Sequence, residues 1–310
     1  MAEIDYRNQV TRLIERQLSD WDVAKHNYGA LKACKLRSLR VGASSIVLQF
    51  NPERIRSSAA KVDAASLKAR KCFLCAQNQP VQQETVEWNG KYKIQLNPYP
   101  IFPLHLTISE LRHVPQSIEG RMPHMLALAH DLSDFVLFYN GPKCGASAPD
   151  HMHFQAGNKG FLPYCKEVFE SKLSHIDDDD GFLALSQGMA RMSFLIAAKT
   201  ALRASQLFDM LERALPVSAG DPEPMQNILC WTEADTYYVV VFPRRKHRPH
   251  NYGDGAGQFM LSPASVDMGG VWAVPVEKDF DALTSADVQA MFDELCMTTD
   301  DAINIIQRLK

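Results

Sequence analysis

Residues 151–155 read His-Met-His-Phe-Gln, so polar and apolar side chains alternate along this stretch. In a β-strand every second side chain lies on one face. The pattern therefore predicts a strand with His151, His153 and Gln155 on one face and Met152 and Phe154 in apolar packing. Two imidazoles and an amide are costly to bury without partners. This face is therefore suited to a metal ligand beside a nucleophile or base, and the alternative is two ordinary histidines on a half-exposed strand.

The loop before this strand is rich in glycine and proline. Residues 140–149 read Asn-Gly-Pro-Lys-Cys-Gly-Ala-Ser-Ala-Pro, a composition that favours a tight backbone with exposed N–H groups. Because oriented backbone amides form concave anion sites, the loop is suited to holding a phosphate beside the imidazoles. A plain connecting segment is the alternative.

A CxxC segment lies upstream, at Cys72-Phe-Leu-Cys75. It brings two thiolates within reach of one ion, and two histidines from elsewhere would complete a tetrahedral zinc site. A redox dithiol and two buried thiols are the alternatives. A further ligand is offered by His105, within a predicted strand at 104–108, or by His113 just beyond that strand.

Composition narrows the class of protein. The chain has 310 residues, of which 46% are hydrophobic and 22% charged, which is enough for one large or two modest domains with a real core. A net charge of −3 disfavours broad nucleic-acid binding. We see no apolar signal region and no run of about twenty apolar residues. The seven cysteines are odd in number and scattered, which favours a reducing compartment, and we expect a cytoplasmic protein.

The pattern of apolar residues predicts an α+β fold. A hairpin is predicted near 84–96, with Asn89-Gly90 as its turn. A strand–strand–helix organisation that occurs twice indicates two related halves, at 1–162 and 163–310. The other predicted elements are helices near 3–20 and 121–134, an amphipathic helical region at 185–213, a helix at 285–308, and strands at 44–50, 135–140, 151–156, 227–232 and 237–243.

Taken together, these motifs resemble the histidine-triad superfamily. Within it they are similar to the branch that contains galactose-1-phosphate uridylyltransferase, diadenosine tetraphosphate phosphorylase and the GDP-hexose phosphorylases. The CxxC segment looks like the uridylyltransferase zinc motif, and residues 103–113 resemble the superfamily's strand-then-His segment. Residues 145–147 followed by His-x-His-x-Gln are similar to its active-site loop and strand. One departure is Asp150, which lengthens the usual Ser-x-Pro-His spacing by one residue and bears on the role of Ser147.

The resemblance extends from about residue 50 to about residue 245 and implies a fold of two histidine-triad-like halves, each an antiparallel sheet with packed helices. It also implies that His153 attacks the α-phosphorus of a nucleotide and forms a nucleotidyl-histidine, with Gln155 and Ser147 as further catalytic residues. Glutamine has no acidic proton to give a leaving group. This argues for transfer or phosphorolysis over hydrolysis.

The same resemblance implies a zinc site. We prefer His113 to His105 as a ligand because it matches the ligand position of the uridylyltransferases. Four protein ligands leave no open position, so the zinc would be structural. The implied ligands are Cys72, Cys75, His113 and His151.

A third set of residues is predicted to bind nucleotide or phosphate. Arginine pairs bidentately with phosphate oxygens, and basic residues crowd the segment 244–250. The alternative for that segment is a solvated basic loop. The predicted set is Arg54, Arg56, Asn140, Gly145, Arg244, Arg245 and Arg248.

The expected activity is transfer of a nucleoside monophosphate from a nucleotide sugar or a dinucleoside polyphosphate. The acceptor is a sugar 1-phosphate or inorganic phosphate. The alternatives are a hydrolase of the histidine-triad type and a non-catalytic, zinc-stabilised nucleotide-binding protein. We expect no nucleic-acid or membrane partner, and a homodimer is the assembly to test.

Overall fold

The computed structural model of the chain describes residues 4–55 and 62–309. The predicted phosphate ligand Arg56 lies outside the described residues. The strands are β1 (Lys35–Val41), β2 (Ser44–Phe50), β3 (Val86–Trp88), β4 (Tyr92–Leu96), β5 (His105–Glu110), β6 (Phe135–Asn140), β7 (His153–Asn158), β8 (Lys172–Asp178), β9 (Gly181–Gln187), β10 (Ser193–Ala198), β11 (Gln226–Glu233), β12 (Thr236–Pro243) and β13 (Val271–Val274).

Helices cover both ends of the chain and the connections between strands. They are α1 (Tyr6–Asp20), α2 (Asp22–Lys32), α3 (Ala64–Ala69), α4 (Met122–Asp131), α5 (Tyr164–Glu167), α6 (Ala201–Ala214), α7 (Ser265–Met268), α8 (Glu277–Ala282), α9 (Ser285–Leu295) and α10 (Thr299–Leu309). Short 3₁₀ turns occur at Pro52–Arg54, Ala76–Asn78 and Val168–Glu170.

One large antiparallel sheet dominates the molecule, with the strand order β3-β4-β5-β7-β6-β11-β12-β10-β9-β8. Its two halves have the same connectivity. In each half, three consecutive strands are followed by a helix and then by two more strands. The last strand, β7 or β12, lies in the sheet between the fourth strand, β6 or β11, and the third, β5 or β10; the helix is α4 in the first half and α6 in the second. The halves join where β6 pairs with β11, from Asn140 opposite Asn227 to Leu137 opposite Cys230. The predicted α+β fold of two histidine-triad-like halves is confirmed. The boundary near residue 162 stays a prediction.

The two faces of this sheet are covered differently. One face packs against α1, α2, α4, α6 and α10 in a continuous apolar cluster. The other face packs, over the second half, against α9 and the small sheet β1-β2-β13, in which β13 runs parallel to β2. Met152 and Phe154 lie fully buried in the first cluster, as the alternating pattern predicts. The opposite face of β5 and β7 lines a cavity.

The elements confirm most of the predicted pattern. The hairpin turn has positive φ at both Asn89 (49°) and Gly90 (62°), as a type I′ turn requires. The prediction of a helical region at 185–213 is wrong in its first part, because β9 and β10 occupy residues up to 198. β10 is buried along its whole length, and a short apolar run of that kind lacks the alternation that distinguishes a strand from a helix.

Two boundaries also differ from the predictions. The C-terminal helix is broken between α9 and α10. His151 lies just before β7 and not within it. Among the described residues, no helix has both the length and the apolar character needed to cross a membrane.

Candidate active site

The two cysteines and two of the histidines converge on one point. Cys72 Sγ lies 3.3 Å from His151 Nδ1, and Cys75 Sγ lies 3.3 Å from His113 Nδ1. The two Nδ1 atoms are 3.2 Å apart. All four ligand atoms lie within 4.8 Å of one another. Tetrahedral zinc with ordinary bond lengths would separate its ligands by roughly 3.3–3.8 Å, so the donor set fits such an ion, and the cluster could hold a metal.

The hydrogen bond on the far side of His151 supports ligation. Its Nε2–H donates to the carbonyl of Glu110 at 2.8 Å, which leaves Nδ1 unprotonated toward the cysteines. A backbone acceptor of this kind fixes the tautomer of a metal-binding histidine. His105 lies outside this cluster, so of the two alternatives the structure brings His113 to the cysteines.

His153 has the geometry of a nucleophile. Its Nδ1–H donates to the carbonyl of His151 at 2.8 Å, so the free lone pair is on Nε2. The residue is 4% exposed and lines the cavity. Burial lowers the pKa of His153 to about 4, and the ring is therefore neutral near pH 7. The sequence placed His151 and His153 on one face. Because His151 precedes the strand, it instead reaches the cysteines while His153 reaches the cavity.

Gln155 is oriented by a buried histidine on the neighbouring strand. The backbone N–H of Ile101 donates to His105 Nδ1 at 3.2 Å, so His105 carries its proton on Nε2. That proton is donated to Gln155 Oε1 at 3.0 Å. With its oxygen engaged in this way, Gln155 has its amide N–H groups available to the cavity that it lines. Burial lowers the pKa of His105 to about 3, which keeps this donor arrangement in place at neutral pH.

Asn140 is fixed in the same manner at the start of the catalytic loop, which we define as residues 140–152. Its Oδ1 accepts from Asn227 Nδ2 at 3.0 Å and from the backbone N–H of Ser265 at 2.8 Å. Its own amide N–H groups are left for the cavity. Two amides, of Gln155 and Asn140, thus flank His153, and each is held by its oxygen.

Glycine is required at position 145 in this loop. Gly145 has φ +93°, and a Cβ there would lie 2.5 Å from the Cβ of Ala264. The close approach of Ala264 brings the second half of the chain to the cavity. Ser147 also lines the cavity, and its carbonyl accepts from Arg70 at 3.5 Å.

The cavity has a volume of about 510 Å³, in the range typical of small-molecule sites. Besides His153 and Gln155, its wall includes Phe73 and Leu74 of the Cys loop, which we define as residues 70–80. Apolar side chains from the end of α1, the start of α2 and the C-terminal segments complete it: Trp21, Val23, Leu261, Val266 and Ala273.

The predicted arginines divide into two groups. Arg54 and Arg248 line the cavity. Arg244 and Arg245 do not line it, and their phosphate role stays a prediction. Arg244 is 4% exposed and donates to Asn227 and to the carbonyl of Pro263. Arg245 points outward and donates to the carbonyls of Asp293 and Glu294 at the end of α9.

The sequence alone did not indicate Gln116 as a residue that shapes this site. Gln116 accepts from the backbone N–H of His153 at 2.8 Å and donates to the carbonyls of His153 and Asn140, each at 3.0 Å. It thereby ties the catalytic loop to β7. No local motif marks Gln116, and only the tertiary contacts reveal its role.

This fold and site resemble those of the histidine-triad superfamily, in the branch of the uridylyltransferases and dinucleoside tetraphosphate phosphorylases. A Cys₂His₂ cluster, a His-x-His-x-Gln segment and a doubled antiparallel sheet occur together here.

Comparison with known proteins confirms the predicted resemblance. A family described as a domain of unknown function (DUF4922) matches residues 13–158. Diadenosine 5',5'''-P1,P4-tetraphosphate phosphorylase 2 of Saccharomyces cerevisiae is 28% identical over 170 residues, which cover 49% of this chain and 52% of that protein. The match thus spans about half the length of the curated relative.

Solved structures show the same fold over a longer range. Yeast Ap4A phosphorylase Apa2 in complex with Ap4A has a TM-score of 0.65 at 16% identity, and the match covers 96% of this chain and 99% of that one. The same enzyme in complex with AMP has a TM-score of 0.57 at 17% identity, with 88% and 94% covered.

Proposed function

We propose that this chain is a nucleotidyltransferase of the phosphorylase type. It transfers a nucleoside monophosphate from a dinucleoside polyphosphate to inorganic phosphate by way of His153. The observation that carries the proposal is the hydrogen bond from His153 Nδ1 to the His151 carbonyl, which leaves an unprotonated Nε2 on a residue that lines the cavity. Such a nitrogen is a competent nucleophile, and a covalent intermediate divides one difficult displacement into two easier ones.

In the first step Nε2 of His153 attacks the α-phosphorus of the donor. The bond from this phosphorus to its bridging oxygen breaks, and the oxygen leaves with the electron pair on the remaining nucleotide. The imidazole becomes positively charged, and the His151 carbonyl stabilises that charge through the Nδ1–H bond. The amide N–H groups of Gln155 and Asn140 are suited to donate to the phosphoryl oxygens, where negative charge develops.

In the second step an oxygen of inorganic phosphate attacks the same phosphorus and releases neutral His153. With diadenosine tetraphosphate as donor, the first step releases ATP and the second releases ADP. Arg248 lines the cavity and is the residue we assign to the acceptor phosphate. Gln155 cannot supply a proton to a poor leaving group, which favours leaving groups that are already stable anions.

The choice of a dinucleoside polyphosphate draws on the relatives and on the cavity wall. The yeast relative is named for diadenosine tetraphosphate, and the similar solved structures contain Ap4A or AMP. Apolar side chains line the cavity from two separate parts of the chain. Trp21 and Phe73 come from its N-terminal part, and Leu261 and Val266 come from its C-terminal part. Such groups suit nucleobases, and the polar residues of β7 suit a phosphate chain.

We also propose that the Cys₂His₂ cluster holds Zn²⁺. A four-ligand zinc leaves no position for substrate and serves as a structural crosslink. Its place would be between the Cys loop and the residues before β7. Because Phe73 and Leu74 of the Cys loop line the cavity, the ion would support the cavity wall.

The proposal is tested by following donor cleavage with and without phosphate. Diadenosine tetraphosphate should be converted repeatedly to equal amounts of ATP and ADP only when phosphate is present. Without phosphate, each enzyme molecule should release at most one ATP as the nucleotidyl-histidine forms. Nucleoside diphosphate sugars with a sugar 1-phosphate acceptor form the second arm of the assay.

Each other outcome identifies a different function. Phosphate-independent release of AMP would indicate a hydrolase. Efficient exchange between sugar nucleotides would indicate a uridylyltransferase. Tight nucleotide binding without any product would indicate a binding protein.

A further inference from the structure

Asp150 is the residue that lengthens the Ser-x-Pro-His spacing, and it has a specific partner. Its Oδ1 accepts from Arg70 Nη2 at 2.5 Å, and the two side chains are 20% and 24% exposed. The same guanidinium nitrogen lies 3.5 Å from the carbonyl of Ser147. Arg70, at the start of the Cys loop, therefore contacts the catalytic loop at two points.

The other side of Arg70 contacts the cavity wall. Its guanidinium carbon lies 5.1 Å from the centre of the Phe73 ring, and Phe73 lines the cavity. Beneath this contact, Cys72 and Leu74 of the Cys loop pack against Ala148 of the catalytic loop in a small buried cluster. An unbroken set of contacts thus joins the two loops, with the ion pair at its edge.

We propose that Arg70 and Asp150 are positioning residues that hold the Cys loop and the catalytic loop in register with each other. The cavity wall at Phe73 and the phosphate-facing segment at Ser147 then keep a fixed spacing. An ion pair that is mostly shielded from solvent is less screened than a surface pair, and loss of either partner leaves the other charge partly desolvated. In this proposal Asp150, the extra residue of the catalytic loop, has a structural role as the partner of Arg70. The kinetic consequence rests on the proposed nucleotidyl transfer, whereas the coupling between the loops does not.

The kinetic test is a double-mutant cycle with Arg70→Gln, Asp150→Asn and the double variant. We expect each single variant to lose on the order of tenfold in kcat/KM for the donor, because small displacements of positioning groups are costly. The double variant should lose no more than either single variant, since both changes remove the same contact. Asp150→Glu should recover part of the activity. Losses that multiply in the double variant would contradict the proposal.

A matched control uses the ion pair between Arg7 and Asp134. It is also formed between an arginine and an aspartate, but its side chains are 59% and 55% exposed, and neither residue lines the cavity. Arg7→Gln and Asp134→Asn should leave kcat/KM unchanged. A comparable loss in these variants would show that the tenfold effect has nothing specific to do with the two loops.

Amide hydrogen exchange tests the coupling without any assay of turnover. In Asp150→Asn, exchange should become faster in residues 70–76 as well as in 144–150, while metal content stays at the wild-type value. Faster exchange confined to the catalytic loop would overturn the proposal. If the wild-type protein proves to have a different activity, this experiment still decides whether the two loops are coupled.

Discussion

The two halves of the large sheet share one connectivity and differ in chemistry. In the first half, β7 carries His153 and Gln155 on the face that lines the cavity. In the second half, the strand with the same place in the order is β12, which reads Thr-Tyr-Tyr-Val-Val-Val-Phe-Pro. It has no histidine and no amide. The two halves therefore share a scaffold, and in the proposed function a few side chains on one strand supply the reactivity.

The second half contributes to the site through its connections. Asn227 orients Asn140, Ala264 packs against Gly145, and Arg248 reaches the cavity. We interpret the first half as the source of the nucleophile and the second half as its support and acceptor side. The following predictions test that division, from the largest expected effect to the smallest.

The largest effect is expected for His153→Ala. Loss of the nucleophile should reduce donor cleavage by at least about 10³-fold. Metal content and thermal stability should stay near the wild-type values, because His153 lies outside the Cys₂His₂ cluster. Tyr238→Phe, on the corresponding strand of the second half, should leave cleavage unchanged. Substantial activity in His153→Ala would transfer the catalytic role to another residue and remove the contrast between the halves.

Metal ligands should show the next largest effect, this time on stability. Cys75→Ser should lose the metal and lower the free energy of unfolding by several kcal/mol, a smaller loss than the roughly 10 kcal/mol of small zinc domains, because a large core remains. Metal analysis and calorimetry measure both quantities. Cys230→Ala, which changes a fully buried thiol of the second half, should retain the metal. Equal metal content in both variants would exclude the proposed site.

His105→Leu should separate an orienting role from a ligand role. Without the hydrogen bond to Gln155 the amide is free to rotate, and we expect a loss of kcat on the order of tenfold to a hundredfold, as for a displaced transition-state donor. The variant should keep its metal. His113→Ala should show the opposite result, with the metal lost. Metal loss in His105→Leu would reinstate His105 as a ligand.

The smallest effect is expected within the basic segment of the second half. Arg248→Gln should raise the KM for phosphate about tenfold, which corresponds to one charge-assisted hydrogen bond of about 1.5 kcal/mol. Arg245→Gln should have no effect on that KM, because its guanidinium donates to carbonyls at the end of α9. An identical response in the two variants would contradict the assignment of Arg248.

The sequence predicted the local parts of this molecule better than its long-range contacts. The Asn89-Gly90 turn and the strands at 44–50 and 135–140 follow from turn chemistry and apolar pattern, and the structure agrees. The spacing of the CxxC segment indicated a metal site, and His113 and His151 were added to it through the family resemblance. β9 and β10 were missed because β10 is buried on both faces and shows no alternation.

Orientation and pairing could not be obtained from the sequence. The assignment of His151 and His153 to one face assumed a strand that begins two residues too early. Arg244 belongs to the basic segment of the sequence, but its buried guanidinium donates hydrogen bonds to Asn227 and to the carbonyl of Pro263. The contacts of His105 with Gln155 and of Arg70 with Asp150 join residues 50 and 80 positions apart. No local pattern reports such contacts.

The measurement that tests the central claim most directly is the mass of wild-type protein after incubation with diadenosine tetraphosphate in the absence of phosphate. We predict a gain of one adenylyl group, labile to acid and stable to base, that maps to His153 and disappears when phosphate is added, with release of ADP. An unshifted mass for every donor tried, or an adduct on a residue other than His153, would contradict the account.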